Sequence, residues 1–218
     1  MRFADRRDAG RRLATALARF KTGQPVVLAL PRGGVPVGYE IAAALDAPLD
    51  LVLVRKIGAP FQPELAVGAV AEGDPADTML DRKMIAVFRI PRAYLDETIA
   101  CETREIQRRR QLYLHGRQAV ALQGRTAIVV DDGIATGATM TVALRAVRHR
   151  QPATLVMAIP VAPPDSLARL KAEADEIVCL HAAPELAGVG QFYADFRQLE
   201  DREVTDLLDR AAARAAAG

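Results

Sequence analysis

A parallel β-sheet with helices packed on both faces, an α/β fold, is the architecture that the sequence predicts, and three observations carry the prediction. Short apolar runs at 26–30, 127–130 and 154–160 have the length and composition of strands buried on both sides. Stretches with helical apolar spacing fall between them, the alternation that joins parallel strands through crossover helices. Two of the strands lead directly into a glycine-bearing loop and a helix, and open parallel sheets place ligands just there, beyond the carboxyl ends of their strands.

Taken in order, residues 5–20 place Ala9, Leu13, Ala16, Leu17 and Phe20 on one side of an amphipathic helix that Gly23 and Pro25 end. The strand at 26–30 is followed by a loop over 31–38 and a helix over 39–45. A strand at 49–54 then runs into Arg55 and Lys56, so two cations follow a strand terminus. Another short strand is expected at 66–71, after which Glu72, Gly73, Asp74 and Pro75 break the pattern. An excursion over 79–123 follows, mainly a helix over 92–114 with Leu95, Ile99, Ile106 and Tyr113 near helical spacing. The alternation resumes with the strand at 127–130, a helix from near Thr139, a strand at 154–160, a helix at 166–174 and a strand at 176–180. The Ala-rich stretch 211–218 reads as a frayed helix end.

Composition bounds the function. The chain has 218 residues, 50% of them hydrophobic, and can bury about 70% of its unfolded surface, so 1–218 is expected to form a single domain with an elaboration. Its 29 Lys and Arg against 27 Asp and Glu leave a net charge of +2, too small to argue for nucleic acid by itself. The densest basic region, Arg104, Arg108, Arg109, Arg110, Arg117 and Arg125, is diluted by Glu102 and Glu105, and Glu105 can pair with Arg109 one turn on. It reads as a solvated helix face, with some arginines able to face a cleft, and nucleic acid is not expected as a partner. Only Cys101 and Cys179 occur, without metal-site or disulfide spacing, and both are expected to be buried and inert. Asp5, Asp8 and Gly10 interrupt the N-terminal arginines, and no apolar run approaches the ~20 residues that span a bilayer. A cytoplasmic protein without a membrane partner is expected.

The chemistry concentrates at 127–140. A four-residue apolar strand stops hard at Asp131 and Asp132. Gly137 then lets the backbone approach an anion, Thr136 and Thr139 add hydroxyl donors, and the N–H groups of Ala135, Thr136, Gly137, Ala138 and Thr139 can wrap a terminal phosphate at a helix start. Two carboxylates would repel that phosphate, so they suit neighbouring sugar hydroxyls, or a site near a metal. No P-loop of the GxxxxGK[ST] form occurs.

This order of an apolar strand, two acids and a loop ending Thr136-Gly137-Ala138-Thr139 resembles the motif that binds 5-phosphoribosyl 1-pyrophosphate (PRPP) in type I phosphoribosyltransferases. The loop at 31–38, with Arg32, Gly33 and Gly34, resembles the pyrophosphate loop of the same family in the Arg-Gly-Gly form of its purine-salvage members. The resemblance implies the Rossmann-like type I core, with a small hood that would come from 73–123 and 181–200. It also implies a cis peptide between Arg32 and Gly33, Arg55 and Lys56 on the diphosphate, and Asp131 and Asp132 on the ribose 2- and 3-hydroxyls. Mg2+ would be carried on PRPP oxygens near Asp131 and Asp132, with no direct protein ligand, and a homodimer is common in the family.

The implied reaction transfers ribose 5-phosphate from PRPP to a nitrogen heterocycle, a purine-type base by the form of the Arg-Gly-Gly loop, and releases pyrophosphate. Phe192 or Tyr193, after the last strand, could stack on the acceptor base or serve as core packing. The match departs at Ala135, where hypoxanthine-guanine members carry an Asp proposed to receive the acceptor's proton. Either the acceptor reacts as an anion, or Glu72, Asp74 or His181 takes the proton. The alternative reading is a non-catalytic PRPP-sensing regulator that binds nucleic acid or a protein.

Overall fold

The computed structural model describes residues 1–72 and 77–217. In chain order the elements are α1 (Arg6–Ala16), β1 (Val26–Ala29), α2 (Gly34–Leu45), β2 (Leu49–Leu51), β3 (Val54–Ala59), β4 (Gln62–Ala71), β5 (Asp77–Leu80), α3 (Arg82–Val87), α4 (Arg92–Leu114), β6 (Thr126–Val130), α5 (Ala138–His149), β7 (Thr154–Ala162), α6 (Pro164–Leu170), β8 (Glu176–Ala182) and α7 (Asp201–Ala217).

Five strands form one sheet in the order β2-β1-β6-β7-β8, every neighbouring pair parallel. The apolar runs make this possible, because alternate residues of each strand meet a different layer of helices. Leu28, Val129 and Met157 pack with Met140, Leu144 and Val147 of α5, while Val27, Ile128 and Val156 pack with Leu13 and Leu17 at α1 and with Ile41 and Leu45 of α2. The chain runs outward from β1 to β2 and, on the other side, from β6 to β7 and β8. The order therefore reverses between β1 and β6, and a crevice opens at such a switch point.

The second sheet is antiparallel, β3-β4-β5, and corrects the expectation for 49–71. The parallel strand ends at Leu51, and Arg55 and Lys56 lie inside β3, opposite Val70 and Ala69, rather than in a loop. The expected strand at 66–71 is the second half of β4. Alternation explains the difference: Ile57 and Val70 are buried toward Ile106 of α4 with Arg55 half-buried on the same face against Glu102, while Lys56 between them points to the other face and is exposed. This second sheet thus begins at Val54.

Further corrections are local. The first helix ends at Ala16 and continues as a 3-10 turn to Gly23. The second begins at Gly34, and α6 spans only Pro164–Leu170. At the tail, α7 reaches Ala217, and Ala211 is 1% exposed, because Val204, Leu208 and Ala211 form its buried face. Along α4, Leu95, Ile106 and Tyr113 turn inward as expected, which leaves Cys101 on the solvent side, exposed rather than buried. Cys179 is half-buried. Among the described residues no helix is long and apolar enough to cross a membrane.

Candidate functional site

The two glycine-bearing loops leave neighbouring strands at the same level, since Ala29 of β1 is in register with Val130 of β6 and the Leu30 N–H donates to the Val130 carbonyl at 2.9 Å. They touch: a Cβ placed on Gly33 would lie 2.1 Å from Oδ2 of Asp132. A side chain at residue 33 would have to displace that carboxylate. The cis peptide of the first loop is Pro31–Arg32, one bond before the expected Arg32–Gly33, and Gly33 is already in helical geometry as the residue before α2. Arg32 is half-buried beside the loop, 3.9 Å from Asp201 of α7.

Asp131 and Asp132 stand at the end of β6, with the Asp132 N–H donating to Asp131 Oδ1 at 2.8 Å. Burial pushes both carboxyls above the usual carboxylate range, and the charge of Asp132 raises Asp131 further. Arg6 opposes this. Its Nε donates to Asp132 Oδ2 at 2.7 Å, its Nη1 donates to the Arg197 carbonyl at 3.0 Å, and its guanidinium lies 3.9 Å from the centre of the Phe196 ring. In the sequence Arg6 stands out only as part of an interrupted basic run.

The loop after the acids forms a cleft of about 190 Å3 lined by Asp131 and by Ala135, Thr136, Gly137, Ala138 and Thr139. Gly137 takes φ 80°, a left-handed conformation that suits glycine, and caps α5, which starts at Ala138. From behind, α6 grips the carbonyls: Ser166 Oγ donates to Ala135 O at 2.9 Å and Arg169 Nη2 to Thr136 O at 3.1 Å. In a trans peptide the N–H points opposite to the C=O, so the N–H groups of Thr136 and Gly137 turn away from α6. The start of α5 adds further unpaired N–H groups and its positive end. Ser166 and Arg169 lie in a helix with no motif of its own, and sequence offered no signal for them.

A second, smaller cleft of about 70 Å3 brings Asp131 and Thr139 together with Pro31, Arg55 and Arg109. Arg55 is therefore at the site, although its Nε donates to Glu102 of α4 at 2.6 Å. Lys56, the next residue in β3, is exposed. Arg109 is the one arginine of the basic region that reaches this cleft, and it pairs with Glu105 at 2.8 Å, the pairing expected from their spacing. Arg108 shares Glu105, Arg117 pairs with Asp209, and Arg110 pairs with Glu72 at 2.6 Å beside the buried Asp50. These pairings leave a mixed-charge helix surface rather than a basic stripe.

In the segment after β8, Tyr193 takes the packing alternative. Tyr193 is 3% exposed, packed between Phe3 and Phe196 with ring centres 5.3 and 5.0 Å away, and its hydroxyl donates to the Asp132 carbonyl at 2.6 Å. It supports the acid pair from below, and its ring faces serve the core. Phe192 is half-buried against the ring of His181, 5.3 Å away. Of the expected proton acceptors, Glu72 is committed to Arg110, His181 packs on Phe192, and Asp74 lies outside the described residues. Among the described residues no cluster of three or more His, Cys, Asp or Glu could cage a metal.

Comparison with known proteins finds relatives in sequence and in fold. The model of the phosphoribosyl transferase domain covers residues 5–196. A protein of Mycobacterium tuberculosis H37Rv, provisionally named phosphoribosyl transferase Rv0571c, is 45% identical over 209 residues, and its counterpart in strain CDC 1551 matches equally. The match takes in 96% of this chain but 47% of each relative, so the chain spans about half their length. The crystal structure of TT1426 from Thermus thermophilus is 44% identical, with a TM-score of 0.82 over 95% of this chain and 98% of that one. The AQ2163 protein of Aquifex aeolicus, 13% identical with a TM-score of 0.50 over 81% of this chain and 74% of its own, shares the fold alone. With the family model spanning both loops and every strand of the parallel sheet, the chain belongs to the phosphoribosyl transferase domain family.

Proposed function

We propose that the chain transfers ribose 5-phosphate from PRPP to a nitrogen heterocycle and releases pyrophosphate. The observation that carries this is the contact between the two loops at the switch point of the sheet, Gly33 against Asp132. One ligand with an anion at each end can engage both loops while its sugar lies on the acids. On this reading the N–H groups and hydroxyls of the loop ending in Thr139 take the 5-phosphate, and Asp131 with Asp132 accepts hydrogen bonds from the ribose hydroxyls. Arg32, Gly33, Gly34, Arg55 and Lys56 receive the diphosphate.

Departing pyrophosphate gains negative charge as the bond to C1 breaks while the sugar becomes positive, so fixed cations on one side and carboxylates beneath the sugar favour the transition state over the ground state. Asp131, which lines both clefts, and its neighbour Asp132 suit Mg2+ carried on PRPP oxygens, where it would offset phosphate charge. A purine-type base is the proposed acceptor, by the Arg-Gly-Gly form of the first loop. A hood from 73–123 and 181–200, assembly as a homodimer and a cytoplasmic location belong to the same proposal.

Ala135 is exposed on the cleft and carries no base, which favours an acceptor that reacts as an anion. The same feature suits a PRPP sensor without turnover. A pyrophosphate-release assay with PRPP, Mg2+ and a panel of nucleobases separates the two. Release with one base establishes the transferase, and PRPP binding without release from any base establishes the sensor.

A further inference from the structure

Arg6 is a well-buried cation beside the site, and none of the roles assigned above uses it. It comes from the first turn of α1, more than a hundred residues from the acids in sequence. Its side chain keeps 11% of its exposure and that of Asp132 keeps 14%. Three contacts fix the guanidinium: Asp132 Oδ2, the Arg197 carbonyl and the face of Phe196. Asp132 is held in turn. Gly33 abuts the carboxylate, Tyr193 bonds its carbonyl, and its N–H reaches Asp131.

We propose that Arg6 is a positioning residue that acts through Asp132, holding that carboxylate charged and in one rotamer so that it can accept a ribose hydroxyl of the donor. The inference rests on the PRPP-binding reading and deepens it. A carboxylate has two oxygens and about four acceptor positions, so one oxygen can take the arginine while the other serves the sugar. Two acids side by side in a half-buried pocket repel each other, and a single buried cation relieves that repulsion without reaching the ligand. The charged groups facing the acids are then Arg6 from α1, the two acids themselves, Arg55 of β3 and Arg109 of α4 across the smaller cleft from Asp131, and, beyond Arg6, Arg197 just before α7 with its partner Glu203 in the first turn of that helix. Tyr193 faces them as a neutral donor, its phenol pushed up by burial.

The direct test is a double-mutant cycle on PRPP affinity by titration calorimetry with Mg2+, using Arg6→Gln, Asp132→Asn and the pair together, with Arg6→Lys as the conservative variant. Because Arg6 acts through Asp132, each single change should weaken PRPP about tenfold or more, and the double variant should bind no worse than Asp132→Asn alone. Arg6→Lys should recover most of the loss. The affinity for inorganic phosphate, which needs the second loop but not the acids, should be unchanged in Arg6→Gln. Thermal melting supplies the structural control: Asp132→Asn leaves a buried arginine without its partner and should melt below the double variant. Additive losses, a fall in phosphate affinity equal to that in PRPP affinity, or wild-type PRPP binding by Arg6→Gln would each overturn the role. Wild-type protein that fails to bind PRPP would remove the underlying reading as well, a result distinct from all three.

Discussion

The strand–loop–helix units at 26–45 and 126–149 share one plan, and their differences divide the labour of the site. Each runs from a buried parallel strand into a 12-residue helix beside its twin in the sheet. The first turns tightly through a cis peptide, and its helix begins with the buried Gly34, Val35 and Pro36. The second takes a longer path, with Ala135, Thr136, Ala138 and Thr139 exposed at the cleft. A tight, half-buried loop running into a buried helix start is held by its neighbours and can set the position of the acids beside it. An open loop gripped only from behind by α6 has its donors free for a phosphate. The same architecture thus yields a fixed wall and a waiting cradle.

Breaking the wall should cost most. Gly33→Ala places a methyl group 2.1 Å from Asp132 Oδ2, so either the carboxylate or the loop must move. PRPP affinity, measured by calorimetry, is expected to fall on the order of a hundredfold, the scale of losing one or two charge-assisted hydrogen bonds. Retained affinity would mean that the close approach of the loops is incidental.

The cradle should respond less. Gly137→Ala forces an alanine to φ 80°, with Leu170 Cδ1 3.2 Å from the new carbon, and should cost about 1–2 kcal/mol in urea unfolding. Phosphate affinity should drop with it. Smaller still is Arg169→Ala, which frees the Thr136 carbonyl at an exposed position. A few-fold loss of phosphate affinity with under about 1 kcal/mol of stability is expected.

The acids separate stability from binding through pH. Their carboxyls are raised by burial, and Asp131 also by its neighbour's charge, so the folded chain takes up protons before the unfolded one does. This contribution to stability is present at low pH and is lost as pH rises through the raised range. Asp131→Asn should therefore be more stable than wild type near pH 8, by a margin that narrows as pH falls toward about 5. PRPP affinity of the wild type should move the opposite way, weakening on acidification because a protonated acid no longer accepts both sugar hydrogen bonds. A margin that stays constant with pH would place the ionised pair in a better-solvated setting than its burial suggests.

How legible this was from sequence follows from the same contrast. The parallel core could be read because strands buried on both faces are short apolar runs, and 127–130 needed no neighbour to identify it. The antiparallel hairpin escaped notice because Val54–Ala59 carries Arg55, Lys56 and Gly58, a half-buried pattern that resembles a loop until Ile57 and Ala59 are seen facing Val67 and Val70. Within the candidate site, the residues that the fold brings together and that local motifs point to are Asp131, Asp132, Thr136, Gly137, Thr139, and Arg32 with its glycines. Residues that act from distant segments could not be found in this way. Arg6, Ser166 and Arg169 reach the loops only through the tertiary fold, and nothing in their local spacing marks them. For Tyr193 the local sequence left base stacking and core packing open; its ring lies in the core and its hydroxyl bonds the Asp132 carbonyl.

Competition for PRPP tests most directly whether both loops hold one ligand. With labelled PRPP bound to wild-type protein in Mg2+, pyrophosphate and ribose 5-phosphate should each displace it completely, the first through Arg32, Gly33 and Gly34 and the second through Thr136, Gly137 and Thr139. Arg169→Ala should weaken competition by ribose 5-phosphate and leave that by pyrophosphate unchanged. PRPP that does not bind, or that only one of the two fragments displaces, would contradict a single donor site spanning both loops.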